Sequence, residues 1–145
     1  MASLSDVRAL TISDENAAST TRIAAAARPA AAFTLANTTH ANGTARNVTV
    51  TTTGTGDNAK TVTVVGTDVF GDSLTEVITS TGSAETVAGS SLFLTITSAT
   101  CSAQYAANAS VGSGSVCAQA VEGANRVRVK GFAVVSGGTA GDVEF

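Results

Sequence analysis

Short stretches in which valine alternates with threonine constrain the fold of this chain most strongly. Residues 47–51 read Asn-Val-Thr-Val-Thr, and residues 60–64 read Lys-Thr-Val-Thr-Val. A period of two places every second side chain on the same face of a strand, so the valines face a core and the threonines face away from it. β-branched residues also favour the extended backbone. The pattern therefore predicts half-buried β-strands.

Similar stretches recur along the chain, separated by turns that contain Gly, Asp or Asn. The clearest unit is a β-hairpin in which residues 60–64 and 73–79 are joined through a turn at residues 68–72. We predict an all-β fold, a β-sandwich or barrel of about eight short antiparallel strands. The expected strands are residues 32–35, 47–51, 60–64, 73–79, 92–97, 101–105, 115–121, 126–130 and 142–145, with a brief extended piece at 85–87 and a loop at 112–114.

The apolar positions that share one face of each strand predict the hydrophobic core. These side chains are mostly aliphatic and of medium size, which suits two sheets packed about 10 Å apart. The expected core residues are Val48, Val50, Val62, Val64, Leu74, Ile78, Leu92, Leu94, Ile96, Val127 and Val129.

The first 31 residues lack this alternation. They contain the only proline of the chain, Pro29, and a run of alanines at residues 24–27. We predict that residues 1–31 form an extended or partly helical N-terminal arm and that residues 32–145 form the β-domain. The alternative is a disordered tail, which is common at chain termini.

The predicted arm nevertheless carries spaced apolar side chains and three of the six arginines of the chain. Arginine is favoured in interface ion pairs because its planar guanidinium binds carboxylates through two hydrogen bonds. We expect the arm to become ordered against a neighbouring subunit, and we expect removal of residues 1–28 to leave the β-domain folded. The predicted interface residues are Leu4, Val7, Arg8, Leu10, Ile12, Arg22, Ile23 and Arg28.

Charged residues are scarce, at 13% of the chain, against roughly 25% in soluble domains. This scarcity favours a surface that neighbouring subunits cover, and the alternative is a soluble β-domain that relies on Thr and Ser for solubility. The net charge of −3 and the lack of a basic stripe argue against a nucleic-acid partner. The sequence shows neither an apolar run of membrane-spanning length nor a secretory signal, so we expect no membrane association and a cytoplasmic location until assembly.

The titratable residues do not form a catalytic motif. His40, the only histidine, lies in a polar stretch and is interpreted as a solvated loop residue. Cys101 and Cys117 lack the local signatures of reactive thiols and are interpreted as buried thiols, although their spacing would permit a disulfide. We therefore expect a non-enzymatic protein without a cofactor.

The sequence also contains few residues that could bind a metal ion or a sugar. Asp68 and Asp72, with Asp57, are weak candidates for calcium, and we favour the interpretation that they form turns. The chain has no Trp and one Tyr, which argues against the aromatic platforms that bind glycans. We expect no metal site.

Three stretches resemble a group of small structural β-domains in the virions of tailed bacteriophages. They are TVTVVGTDVFGDSLTEVI at residues 61–78, LFLTITS at residues 92–98 and GFAVVSGGTAGDVEF at residues 131–145. The resemblance covers roughly residues 45–145. Related domains occur in heads, necks and tails, so the resemblance leaves the position in the virion open, and it implies no catalytic residues.

This resemblance implies a virion structural protein. We expect a capsid cement or decoration protein that bridges and stabilises capsid subunits, with the major capsid protein or other virion subunits as partners. We also expect the copies of this chain to form homo-oligomers. A neck or tail component of the virion is the alternative. A host-surface or glycan-binding module is the alternative from another class. The expected location is the virion, after assembly in the host cytoplasm.

Overall fold

Extended strands form the regular secondary structure of the computed structural model, which describes residues 18–40 and 44–119. Neither described range contains a helix that is long and apolar enough to cross a membrane. The seven strands are β1 (Ser19–Ala27), β2 (Thr44–Thr52), β3 (Thr61–Thr67), β4 (Ser73–Thr79), β5 (Thr86–Phe93), β6 (Thr95–Cys101) and β7 (Ala109–Gln119).

The strands form two antiparallel sheets, which confirms the predicted all-β class. The four-stranded sheet has the order β1-β7-β2-β5, and the three-stranded sheet has the order β4-β3-β6. Side chains from both sheets meet in one hydrophobic core, as in a sandwich. The strands predicted at residues 126–130 and 142–145 lie outside the described residues.

Residues that precede β2 connect the two sheets along one side. The strand predicted at residues 32–35 is only an isolated bridge to β6, where the amide of Phe33 donates to the carbonyl of Ala99 at 2.9 Å. A few residues later the amide of Ala36 donates to the carbonyl of Ile23 in β1 at 2.7 Å. This segment therefore forms hydrogen bonds with backbone groups at the edges of both sheets. Because its backbone groups are divided between the two sheets, it does not form a continuous strand with either.

A carboxylate connects the two sheets along the other side. Glu76 of β4 accepts hydrogen bonds from the backbone amides of Ser90 and Ser91 in β5, at 2.6 and 3.3 Å, and from the Ser90 hydroxyl at 3.0 Å. Charge-assisted hydrogen bonds of this kind are stronger than neutral ones. A single side chain thus joins two strands that belong to different sheets.

Most of the predicted core positions are confirmed. Val48, Val50, Val62, Val64, Ile78 and Ile96 are each at most 3% exposed, and Leu74 packs against them from a partly buried position. Val127 and Val129 lie outside the described residues.

The prediction that Leu92 and Leu94 fill the core is wrong. Both are only partly buried, whereas Phe93 between them is fully buried. The reason is that the single strand predicted at residues 92–97 is divided, because β5 ends at Phe93 and β6 begins at Thr95. The corner at Leu94 shifts the alternation, and Ile96 faces the core from a new strand.

The structure places residues 19–27 in the four-stranded sheet, whereas the sequence pattern placed them in an arm outside the β-domain. They form β1, which pairs antiparallel with β7, and they contribute Ile23 and Ala24 to the core at 1% exposure each. The register shifts twice along β1, so its apolar residues do not alternate in the sequence. Residues 1–17 of the predicted arm lie outside the described residues.

The loop predicted at residues 112–114 is instead the middle of β7. Glycine there reflects close packing rather than a turn, because a Cβ on Gly112 would collide with the backbone of Ser19 and Thr20 in β1. β7 therefore runs without interruption between β1 and β2. The strand predicted at residues 101–105 also differs, since β6 ends at Cys101.

The predicted β-hairpin is confirmed. β3 and β4 pair in continuous register from Thr61 opposite Thr79 to Thr67 opposite Ser73. This regularity follows from clean alternation on both strands and a short turn between them. The hairpin contributes two of the three strands whose outer face is the candidate interaction surface.

Candidate interaction surface

The outer face of the three-stranded sheet is an array of threonine, serine and valine. Val77 and Thr100 lie opposite Thr63 on its two sides, and in the next row Thr75 and Ser98 lie opposite Val65. Residues directly opposite each other in antiparallel strands point to the same face. We call this surface the Thr/Val face, and its residues are Thr61, Thr63, Val65, Thr75, Val77, Thr79, Ser98 and Thr100.

The Thr/Val face has no charged side chain. The described ranges contain nine charged residues, and all of them lie at strand ends, in loops, between the sheets or on the four-stranded sheet and its connections. Val77, in the middle of β4, is 57% exposed. A neutral face with an exposed aliphatic centre loses little hydration free energy when another surface covers it, because no charge is desolvated. The nine residues are Arg22, Arg28, Arg46, Asp57, Lys60, Asp68, Asp72, Glu76 and Glu85.

The turn between β3 and β4 presents an aromatic side chain. Phe70 is 76% exposed, the largest exposure among the large apolar side chains of the described residues. Asp68 Oδ1 accepts hydrogen bonds from the amides of Phe70 and Asp72, at 2.8 and 3.0 Å. These contacts support the interpretation that Asp68 forms the turn.

The predicted interface residues fall into two groups. Leu4, Val7, Arg8, Leu10 and Ile12 lie outside the described residues. Ile23 is buried in the core of its own subunit, and its predicted role in an interface stays a prediction. The pairing of β1 with β7 turns this side chain inward.

The two described arginines of this set also contact their own subunit. Arg28 is exposed, and its Nε donates to the carbonyl of Tyr105 at 3.1 Å. Arg22 is partly buried and lines a depression together with His40 and Asn37, and Asn37 donates to the carbonyl of Arg22 at 2.6 Å. The prediction that these arginines bind a neighbouring subunit remains a prediction.

His40 is buried, which corrects the interpretation that it is a solvated loop residue. It is 2% exposed, and both ring nitrogens lack a hydrogen-bond partner among the described residues. Its amide donates to the carbonyl of Leu94 at 2.9 Å, which fixes the residue beside β6. Burial, reinforced by the positive charges of Arg22 and Arg46, lowers the pKa of His40 from 6.5 to about 4. The ring is therefore neutral at pH 7.

Asp57 forms a second buried polar cluster, which sequence analysis did not identify. Asp57 is fully buried, and its Oδ1 accepts hydrogen bonds from Lys60 at 2.9 Å and from the amide of Ala106 at 2.6 Å. Lys60 also lies over the ring of Tyr105, 5.7 Å from its centroid. The Tyr105 hydroxyl is hydrogen-bonded to Ser80 at 3.1 Å. This cluster joins the loop before β3 to the loop before β7.

Replacing Asp57 by Ala is expected to lower the free energy of unfolding by about 3 kcal/mol, because it leaves Lys60 and the Ala106 amide without their partner. Burial raises the pKa of Asp57, but the hydrogen bonds and charge from Ala106 and Lys60 outweigh this effect, and the net pKa is below 3.8. The stabilisation is thus complete above pH 3.8 and is lost as the pH falls through the lowered pKa.

Urea denaturation at pH 7 and at pH 3 measures this effect. Asp72→Ala is the control, because that exposed side chain should contribute less than about 0.5 kcal/mol. Equal stability of the two variants at pH 7 would show that the Asp57 cluster does not stabilise the fold.

The two cysteines are free thiols in different surroundings. Cys101 is partly buried, and burial raises the pKa of its thiol. Cys117 is exposed, which corrects the expectation that both thiols are buried. It pairs with Arg46 of β2 near the end of β7.

Other ligand chemistries find little support in the described part of the chain. No three His, Cys, Asp or Glu side chains there lie close enough to hold a metal ion. Of the aromatic side chains in residues 18–40 and 44–119, Phe33, Phe93 and Tyr105 are buried, which leaves Phe70 as the exposed one. A platform of several aromatic rings for sugars is thus not formed by residues 18–40 and 44–119.

Comparisons with known proteins do not assign a function to these surfaces. A scan against protein-family models and searches of curated proteins and of solved structures found no match to this chain.

Proposed function

We propose that this protein is a structural subunit of the virion of a tailed bacteriophage, specifically a capsid cement protein that binds across neighbouring capsid subunits. The observation that carries the proposal is the Thr/Val face, which is neutral and built on a three-stranded antiparallel sheet. Such a face suits permanent coverage by another protein surface better than exposure to water.

The sequence supports this assignment in two further ways. Residues 86–121 contain no charged residue, so the neutral character extends to β5, β6 and β7. The hairpin that carries most of the Thr/Val face also lies within the stretch that resembles virion β-domains, residues 61–78. Subunits of this kind act by adding buried interface, which stabilises the capsid by mass action.

Binding of another surface to the Thr/Val face should be favoured by buried apolar area and opposed by a buried charge. Threonine methyl groups and the side chains of Val65 and Val77 supply apolar area, which favours binding by about 25 cal/mol per Å² removed from water. The exposed hydroxyl groups find partners on the opposing surface or through bridging water. A charge placed in this face would be buried without a partner and would oppose binding.

The replacement Val77→Glu tests the proposal. We expect the variant to fold and to bind at least about tenfold more weakly to particles that lack this chain, because the new carboxylate would be desolvated at the interface. Binding is measured by co-sedimentation of purified protein with particles produced from a genome from which its gene has been deleted.

The matched control is Val116→Glu on β7 of the other sheet. Both valines are 57% exposed on β-strands, so the two variants carry the same chemical change at sites of equal exposure. The control should bind like the wild type. Equal weakening of both variants, or of neither, would contradict the assignment of the Thr/Val face as the docking surface.

A further inference from the structure

The turn between β3 and β4 combines an exposed aromatic ring with a rigid backbone. The amide of Asp68 donates to the carbonyl of Asp72 at 2.9 Å, and the amide of Gly71 donates to the carbonyl of Asp68 at 3.2 Å. Together with the two hydrogen bonds to Asp68 Oδ1, four contacts hold five residues. Gly71 has a φ of +89°, which a residue with a side chain rarely adopts. The backbone that carries Phe70 is thus held in one conformation.

An exposed aromatic side chain on an ordered turn is suited to binding rather than to stability. Phe70 is 76% exposed, so it contributes little to its own core. Because the turn is already ordered, a partner that accepts the ring does not have to order the loop, and the entropic cost of binding is reduced. Aromatic residues that fill a pocket are typical sites of high binding energy in protein interfaces.

The charges around Phe70 indicate the chemistry of its partner. Asp68 and Asp72 lie on either side of it in the turn, and the described cations lie elsewhere. Lys60 is paired with Asp57, and Arg46 is buried and donates to the carbonyl of Gly114. The tip of the hairpin is therefore acidic, which favours basic side chains on the opposing surface.

We propose that Phe70 inserts into an apolar pocket on a neighbouring virion subunit other than this chain, and that lysine or arginine side chains line the rim of that pocket. This inference rests on the proposed function and names the chemistry of the partner. A second copy of this chain fits less well, because Arg28 is the one exposed cation among the described residues of such a copy.

The replacement Phe70→Ala tests the pocket. We expect at least tenfold weaker binding to particles that lack this chain, with an unchanged melting temperature because the ring is exposed. Val116→Ala is the control, since it truncates an apolar side chain of 57% exposure on the other sheet, and it should bind like the wild type. The replacement Asp72→Asn tests the basic rim and should reduce the salt dependence of binding.

The outcomes separate this inference from the proposed function. Failure of the wild-type protein to bind particles would overturn the proposed function. Binding of the wild type and of Phe70→Ala with equal affinity would overturn the pocket inference alone. Self-association of the wild type in the absence of particles that is lost in Phe70→Ala would show that a second copy takes the ring, and would overturn the assignment to another subunit.

Discussion

Removal of residues 1–28 is expected to unfold the domain, which reverses the expectation from the sequence pattern that the β-domain stays folded without them. The deletion takes away β1, which covers one edge of β7 and buries Ile23 and Ala24. Loss of a buried Ile side chain alone costs about 2–5 kcal/mol, and the backbone hydrogen bonds of β1 are lost as well. The sum approaches the total stability of a domain of this size, about 5–15 kcal/mol. Circular dichroism and thermal denaturation measure the result.

A shorter deletion isolates the contribution of β1. Removal of residues 1–17 leaves the strand in place, so the difference between the two truncated proteins reports β1 and the one residue on each side of it. The replacement Ile23→Ala in the full chain gives an independent measure, with an expected loss of about 2–5 kcal/mol. A cooperative unfolding transition at the wild-type temperature after removal of residues 1–28 would show that β1 is not part of the folded core.

Acidification from pH 7 to pH 4 is expected to cost about 3 kcal/mol of stability through His40 alone. The pKa of His40 is about 4 in the folded protein, against an ordinary value of 6.5. Between these values the unfolded chain binds a proton that the folded chain does not, so stability falls as the pH falls from 6.5 towards 4 and the loss is complete below that pH. The free energy of unfolding of the wild type, measured in urea across this range, should show this slope.

The replacement His40→Gln provides the comparison, because glutamine does not titrate. The difference in stability between the two proteins should change by about 3 kcal/mol from pH 7 to pH 4. His40 is the only histidine, so its ring signals in a nuclear magnetic resonance titration are unambiguous and should show no midpoint above pH 5. A midpoint near 6.5 would contradict the burial of this ring.

The hairpin could be predicted from the sequence because the residues that determine it lie close together in the chain. Val62 and Val64 alternate with threonine, and Asp68 stabilises the turn through its own backbone contacts. Pairing partners adjacent in the chain need no long-range information, and the register follows from the turn. The Thr/Val face is the other side of the same alternation.

The role of β1 could not be predicted, because it depends on pairing with a strand about 85 residues away in the chain. Alanine favours strands weakly, and the bulges in β1 remove the period of two. The same limit applies to His40 and Asp57, since polar residues in loops become buried only through tertiary contacts with β6 and the loop before β7. Gly112 led to the wrong prediction of a loop, because glycine is typical both of turns and of closely packed strands.

The sequence pattern places the predicted interface in the arm, whereas the Thr/Val face that we propose for docking lies on the three-stranded sheet. Arg22 and Ile23 belong to the predicted interface because the arm carries spaced apolar side chains and three of the six arginines of the chain. The pairing of β1 with β7 explains the apolar side chain without a neighbouring subunit. The sequence does not single out Val77 and Phe70, because their exposure is visible only in the folded hairpin.

A reconstruction by electron cryo-microscopy of particles produced from the genome that encodes this chain tests the central claim most directly. We expect density for the two-sheet domain on the outside of the capsid, with the Thr/Val face covered by a neighbouring subunit. Particles that lack the chain, or that carry it with the Thr/Val face turned to solvent, would contradict the account.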